Sequence, residues 1–397
     1  MRLCVLTTTY PQRAGEPTGV FVEAIVRGAR ENGWRPVVVM PHAEGTPGRE
    51  DRDGVEIRRF RFAWPRSLEA LCFRGGMPAA LQARPCLKVL LPGFFAAYWR
   101  KAMSAAADCD IIHCHWTVSG LIGVLTRRWR RLPVVVTTHG SDVSLASQAA
   151  GLRKLNRYVL RRADCMVIVG SHQRQPLLDM GCPPDKIEHI PYGVAQLFLD
   201  RPPAAKRDVD LLFVGRLAPE KRPDLLLEAL ALLGRRGVRF TAELVGDGPL
   251  RGQLQARLDG GTIPGVRLLG ALPHAQVMDA MDRARCLALV SSREGLPNVV
   301  LEAMARGTAV LACDVGSVRD AVRDEVSGVL LPAELSAEAL ADAIGRVLAD
   351  PGRMAVMGRE ARKAVEGRRW LEMNARYDKL FRRLIERQGE SAERDRD

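Results

Sequence analysis

The 397-residue sequence has no C-x-x-C pair, and its nine cysteines are odd in number and scattered. Such spacing offers neither a zinc ribbon nor a disulfide framework, and it points to reduced thiols. No uncharged apolar run is long enough to span a bilayer. The opening Met1-Arg2-Leu3-Cys4-Val5-Leu6 passes directly into Thr7-Thr8-Thr9-Tyr10-Pro11, which is not a secretory signal. No repeat occurs at solenoid spacing. The expectation is a cytoplasmic protein, soluble or peripheral to a membrane.

What is present is an ordinary globular balance, 47% apolar and 26% charged. The length favours two domains. The net charge of +13 is uneven, since about +10 of it falls within residues 1–200. A basic first half suits nucleic acid, anionic lipid or a phosphorylated ligand. Arginine far outnumbers lysine, which a GC-rich genome would also produce.

Short, solidly apolar runs alternate with helix-like segments from end to end. Strands are expected at 3–8, 36–40, 55–60, 110–115, 133–138 and 165–170. A second series covers 209–215, 239–245, 265–269, 286–291, 308–313 and 328–331. Helices are expected at 20–31, 223–234, 274–284, 297–306 and 336–349. Runs without alternation suit a parallel sheet covered on both faces, so the pattern reads as two doubly wound α/β domains. Prolines and charges in 199–207 mark the boundary. The expected domains are therefore 1–198 and 199–369. Tyr377, Leu380, Phe381, Leu384 and Ile385 line one face of a helix ending near 387, which would pack back on the first domain. Residues 388–397 read as a disordered tail.

The densest chemical signal is Ser291-Ser292-Arg293-Glu294-Gly295-Leu296-Pro297-Asn298-Val299-Val300-Leu301-Glu302. It joins the apolar run Cys286 to Val290 to a helix that Gly307 would cap. Pro297 suits the first turn, where a missing N–H costs nothing. The free amides of Asn298, Val299 and Val300 then form an anion site between Glu294 in the loop and Glu302 in the second turn. Two carboxylates beside a phosphate cradle suit a ligand bearing hydroxyls and phosphate, such as a nucleotide sugar.

A second anion site follows the first strand of the second domain, in Phe213-Val214-Gly215-Arg216-Leu217-Ala218-Pro219-Glu220-Lys221. Gly215 allows close backbone approach, and Arg216 and Lys221 can converge on a diphosphate. Leu244-Val245-Gly246-Asp247-Gly248-Pro249-Leu250 is a further turn on the same rim. In the first domain, Thr137-Thr138-His139-Gly140-Ser141-Asp142 closes a strand, placing His139 at the carboxyl edge where open α/β sheets bind ligands.

This constellation resembles glycosyltransferase family 4, retaining GT-B enzymes that use nucleotide sugars. The resemblance rests on Glu294 and Glu302, on Gly215-Arg216 with Lys221, and on His139-Gly140-Ser141-Asp142. Ile190-Pro191-Tyr192-Gly193-Val194 and Asp110-Ile111-Ile112-His113-Cys114-His115-Trp116 add to it, and it runs from residue 1 to about 387. It implies that Arg216 and Lys221 neutralise the leaving diphosphate, that Glu302 holds the ribose and that Glu294 holds a donor-sugar hydroxyl. The backbone of Gly295, Leu296, Pro297, Asn298, Val299 and Val300 would seat sugar and phosphates. His139 would approach the transferred sugar, and Gly19 would lie near the phosphates. The implied reaction moves a hexose or N-acetylhexosamine from a UDP- or GDP-sugar to a hydroxyl of a lipid-linked or cell-surface glycan, as in polysaccharide biosynthesis. It implies no cofactor, no metal and no nucleic-acid partner. Two alternatives stay open: another GT-B enzyme such as a sugar-nucleotide epimerase, or a silent nucleotide-sugar-binding subunit.

Three positions depart from the family pattern: Arg222 where glycine is frequent, Ala195 where a polar residue is usual, and Pro17-Thr18-Gly19 in place of a glycine pair. The acid pairs Asp51/Asp53, Asp108/Asp110 and Asp208/Asp210 mimic a metal-binding D-x-D by chance. His113-Cys114-His115 puts adjacent ligand-type residues on opposite strand faces, against a zinc site. Leu87, Leu90, Leu91, Phe94, Phe95 and Tyr98 form an apolar helical stripe flanked by Arg84, Lys88, Arg100 and Lys101. It suits either the domain core or an anionic membrane surface.

Overall fold

The computed structural model describes residues 1–394 apart from 17, 65–67, 70, 73–75, 149, 205 and 262. Pro17 of the N-terminal loop, position 205 of the expected boundary and the last three tail residues therefore lie outside the described residues. The chain forms two compact units, Met1–Pro191 with Trp370–Asp397, and Tyr192–Arg369.

Unit 1 holds an eight-stranded sheet: β1 (Arg2–Leu6), β2 (Arg35–Pro41), β3 (Arg49–Arg52), β4 (Val55–Phe60), β5 (Ile111–His115), β6 (Val134–Thr138), β7 (Cys165–Ile168) and β8 (Ile187–His189). Their order is β3-β4-β2-β1-β5-β6-β7-β8. Only β3 runs antiparallel to its neighbour. Alternate residues of the central strands feed two core clusters, with Cys4, Leu6, Val37 and Val136 in one and Leu3, Val5, Val38 and Val135 in the other. Both faces are thus covered, as the uninterrupted apolar runs require. Sequence reading missed β3 and β8. Arg49-Glu50-Asp51-Arg52 is an all-charged edge strand with no apolar period, and β8 is three residues long.

The stripe at 87–101 is core. Leu87, Phe94 and Tyr98 are buried, with Leu90, Leu91 and Phe95 packed against the same cluster. Tyr98 stacks on Phe60 at 4.6 Å and donates its hydroxyl to Ser119 Oγ at 3.0 Å. Pro92 falls in the first turn of the helix Leu91–Ala105, so it starts a helix rather than kinking one.

The last helix, Trp370–Arg394, belongs to unit 1, where Met373, Tyr377, Leu380, Phe381 and Leu384 join the cluster containing Val22, Ile25 and Trp34. Trp34 Nε1 donates to Asp378 Oδ1 at 2.8 Å, and Asn374 Nδ2 donates to the Ala24 carbonyl at 3.2 Å. The tail expected from 388 is instead helical to Arg394, because its glutamates and arginines are good helix formers extending an established helix.

Unit 2 holds six parallel strands: β9 (Val209–Val214), β10 (Ala242–Val245), β11 (Val266–Gly270), β12 (Ala284–Leu289), β13 (Ala309–Cys313) and β14 (Gly328–Leu331). Their order is β11-β10-β9-β12-β13-β14. The division between units falls after Pro191, not after residue 198. Buried Arg306 explains the difference. It donates to the carbonyls of Phe198, Arg201 and Pro202 at 2.7–3.0 Å while its Nε holds Asp282 at 2.8 Å. The proline- and charge-rich stretch is therefore clamped onto unit 2.

Candidate active site

Winding in unit 2 proceeds outward from β9 through β10 to β11, then returns to the other side of β9 at β12. The carboxyl ends of β9 and β12 therefore flank a topological switch point, the crevice where open α/β sheets take ligands. The two motifs singled out in the sequence are the loops at those two strand ends.

Lys221 ends the loop after β9, and Glu294 lies in the loop after β12. Lys221 Nζ donates to Glu294 Oε1 at 2.6 Å across the crevice. The Glu220 carbonyl accepts the Ser292 amide at 2.9 Å, so backbone also ties the loops. Arg216 pairs with Glu220 and remains about half-exposed, with donors left for a ligand. Burial raises the Glu220 carboxyl, but hydrogen bonds from its amide and Arg216 outweigh that and lower it. Gly215 follows β9, and its amide donates to the Val245 carbonyl at 3.0 Å.

Gly295 and Leu296 lead to Pro297, which is the N-cap of the helix Asn298–Ala305 rather than its first residue. The amides of Asn298 and Val299 thus face the crevice end, while the Val300 amide already donates to the Pro297 carbonyl at 3.1 Å. Asn298 Oδ1 is buried with no hydrogen-bond partner. One turn further, Glu302 Oε1 accepts from His274 Nε2 at 3.0 Å. That bond outweighs partial burial and raises the His274 imidazole above its ordinary value.

Several supports were not legible beforehand. Gly316, at φ 60°, comes so close that a Cβ there would sit 2.1 Å from the Glu294 carbonyl and 2.8 Å from that of Gly295. The turn at 244–250, which alone reads as a simple connection, holds the loop after β9: Leu217 N–H donates to the Asp247 carbonyl at 2.9 Å. Arg222 has φ 49°, which accounts for glycine being frequent at such a position. Here the guanidinium compensates by donating to the carbonyls of Val290, Ser291 and Ala333 at 2.6–3.1 Å.

In unit 1 the winding reverses between β1 and β5. Gly19, at φ 80°, caps the helix Val20–Glu31 after β1, and a Cβ there would meet Tyr10 Cα at 2.9 Å. Trp116 follows β5 with φ 64°, a strained conformation for a bulky residue. Its ring lies 4.4 Å from that of His139, and Phe21 lies 4.9 Å from the same imidazole. His115 Nδ1 and His139 Nε2 share a hydrogen bond of 3.1 Å. Burial pushes His139 and His113 down to about 3 and His115 well below its ordinary value, so all three are neutral at pH 7. His113 and His115 lie two residues apart on one strand face, and the loop after β6 adds His139, but no cluster of three His, Cys, Asp or Glu suited to a metal occurs among the described residues. Asp142 accepts the amides of His139 and Thr117 at 3.2 Å each, and burial still raises its carboxyl to about 6.

The comparisons with known proteins reach both units. A family model described as Glycosyl transferases group 1 matches residues 198–364, and one described as Glycosyl transferase 4-like domain matches 18–193. The D-inositol 3-phosphate glycosyltransferase of Nocardia farcinica is 34% identical over 66% of this chain and 63% of its own length, just under two thirds of that relative. The Salinispora tropica protein of the same name is 31% identical over 76% of this chain and 69% of its own. Sucrose-phosphate synthase from Thermosynechococcus elongatus shares the fold, with a TM-score of 0.78, 22% identity, and coverage of 97% of this chain and 99% of that one. Anabaena HepE in complex with UDP-glucose gives 0.70 at 18% identity over 96% and 99%.

Two Rossmann-like domains, each with its crevice at a strand-order reversal, define the GT-B class. The chain belongs to glycosyltransferase family 4 and is a glycosyltransferase.

Proposed function

We propose that this enzyme is a retaining, metal-independent glycosyltransferase. It moves a hexose or N-acetylhexosamine from a UDP- or GDP-sugar to a hydroxyl of a glycan, lipid-linked or at the cell surface. The observation that carries the reading is the 2.6 Å Lys221–Glu294 pair at the switch point, beside half-exposed Arg216 and the amides of Asn298 and Val299. A diphosphate entering there meets two cations and a helix N-terminus, which stabilise charge growing on the leaving oxygen. Released from Lys221 by that diphosphate, Glu294 is then available to a donor-sugar hydroxyl. Glu302 and His274 are spaced for ribose hydroxyls. In the transfer the anomeric carbon–phosphate oxygen bond breaks, and the acceptor oxygen bonds the same carbon on the same face. The acceptor proton passes to the departing diphosphate.

His139 serves as a neutral hydrogen-bonding group toward the transferred sugar, because an imidazole held near 3 carries no proton to donate as an acid at pH 7. The bound UDP-glucose of the Anabaena neighbour supports a uridine nucleotide as the first donor to test. The charge of unit 1 supports an acceptor, or a surface carrying it, that is anionic. A thermal-shift screen over UDP- and GDP-sugars, followed by NMR of the product's anomeric configuration, tests the reading. Stabilisation by no nucleotide sugar, or an inverted product, would overturn it.

A further inference from the structure

Away from the two switch points, the outer edge of unit 1 carries a groove with about 360 Å³ of water-accessible space between β3, β4 and the helix Leu91–Ala105. Its lining includes Arg49, Arg59, Arg61, Arg100 and Lys101 and no carboxylate. The neighbouring acids are already committed. Glu56 serves Arg2, Arg49 and Arg58, and Glu50 serves Arg52 and Arg59. Arg59 is buried and spends its donors on Gln12, Pro47 and Glu50, so it lends the groove charge rather than hydrogen bonds.

The other three cations have no carboxylate partner among the described residues. Arg61 makes one long contact, Nη2 to His42 Nε2 at 3.4 Å, and His42 is itself held by Glu69 at 3.1 Å and by the Thr46 carbonyl at 3.0 Å, so most of the Arg61 donors stay available. Burial, and then the like charges of Arg58, Arg100 and Arg49, lower the Lys101 ammonium. Same-sign groups gathered around a concave space are electrostatically unfavourable until an anion joins them. Planar guanidiniums with free donors favour a phosphate over a diffuse counterion.

We propose that this groove is a binding site for a phosphate-bearing ligand, with Arg61, Arg100 and Lys101 as its direct donors. The groove lies beside the end of β4 at Phe60, on the outer edge of the sheet. The inference rests on unit 1 alone and holds whatever the donor sugar proves to be.

The test is site-resolved and needs no turnover. In the full-length protein, acylation of Lys101 by an amine-reactive ester is followed by mass spectrometry at fixed ionic strength. Pyrophosphate at ten times its Kd should slow labelling of Lys101 about tenfold relative to matched sodium chloride. The protection should persist in Arg216→Ala/Lys221→Ala, which removes the other phosphate site, and disappear in Arg61→Gln/Arg100→Gln. These two residues are exposed, and circular dichroism confirms that the variant is folded. Two further arms separate the sources of phosphate: a soluble inositol phosphate, and vesicles of phosphatidic acid in phosphatidylcholine. Protection by the soluble ester assigns a free phosphorylated ligand, and protection by vesicles alone assigns a lipid headgroup. If no phosphate source slows labelling beyond chloride, or if the protection survives loss of Arg61 and Arg100, the site does not exist.

Discussion

Lys221 and Glu294 are 73 positions apart and meet at 2.6 Å because β9 and β12 are neighbours in the sheet while their loops diverge from it. The pair fixes a cation and a carboxylate side by side at the switch point.

Removing one charge-assisted donor to a leaving group costs roughly 10²–10³ in kcat. Lys221→Ala or Arg216→Ala should lose about that much turnover, while circular dichroism and melting remain near wild type. Wild-type rates in both variants, with a confirmed donor, would remove the diphosphate clamp from the mechanism.

Unit 1 should lose stability in mild acid. His113 and His139 are held at about 3 and His115 well below its ordinary value, against roughly 6.5 when unfolded. For a base whose folded value is depressed, the stabilisation is present above the unfolded value and is lost as pH falls toward the folded one. Asp142 works the other way: raised to about 6, it binds a proton in the folded state before the unfolded chain does. Between about pH 5 and 6 the balance is three protons taken up on unfolding less one, hence about two. Urea titrations of unit 1's unfolding across that range should show stability falling as pH drops. A flat profile would mean that these imidazoles are not buried neutral.

Much of this architecture was legible because it is written in runs. Val134 to Val136, Leu211 to Phe213 and Leu287 to Leu289 are apolar without alternation, which leaves a parallel, doubly covered sheet as the fold. The charged edge strand β3 lacked that signature. The expected boundary at 198/199 differs from the division after Pro191 because Arg201 and Pro202 look like a linker until Arg306, a hundred residues later, gathers their carbonyls. Around the candidate site, residue identity singled out Arg216, Lys221, Glu294 and Glu302, which lie in the loops and the helix that follow β9 and β12. It could not reveal His274, which faces Glu302 only through packing, nor Gly316, whose importance lies in what a Cβ would strike. The stripe at Phe94 and Tyr98 satisfied core and membrane patterns equally, and only its burial separates them.

Arg222 should show the opposing effects of backbone and side chain. Its guanidinium bonds are charge-assisted and worth about 1.5–3 kcal/mol, whereas a left-handed residue with a Cβ costs about 1–2 kcal/mol. Arg222→Ala should therefore destabilise unit 2 by about 2–3 kcal/mol, and Arg222→Gly by about 1 kcal/mol less. Chemical denaturation of the two variants measures the difference. Equal losses would mean that the φ of 49° carries no strain.

Transfer should need no divalent metal. Each acid pair that imitates a D-x-D motif has other partners, at places unsuited to the donor. Asp208 pairs with Arg283 at 3.1 Å, and Asp210 accepts the Thr241 amide at 2.8 Å, both at the amino end of β9. Asp110 accepts the Arg2 amide at 2.6 Å before β5, and Asp51 accepts that of Gly54 at 3.0 Å in the β3–β4 turn. At the carboxyl end of β9, by contrast, the proposed reading has Arg216, Lys221 and the amides of Asn298 and Val299 supply the positive charge that a divalent ion would otherwise bring. Transfer from the confirmed donor should proceed unchanged in excess EDTA. The same assay in Lys221→Ala makes the point sharper, since added Mg²⁺ or Mn²⁺ should not restore a rate lost with the ammonium. Activity abolished by EDTA and recovered with either ion would transfer the neutralising role from these side chains to a metal.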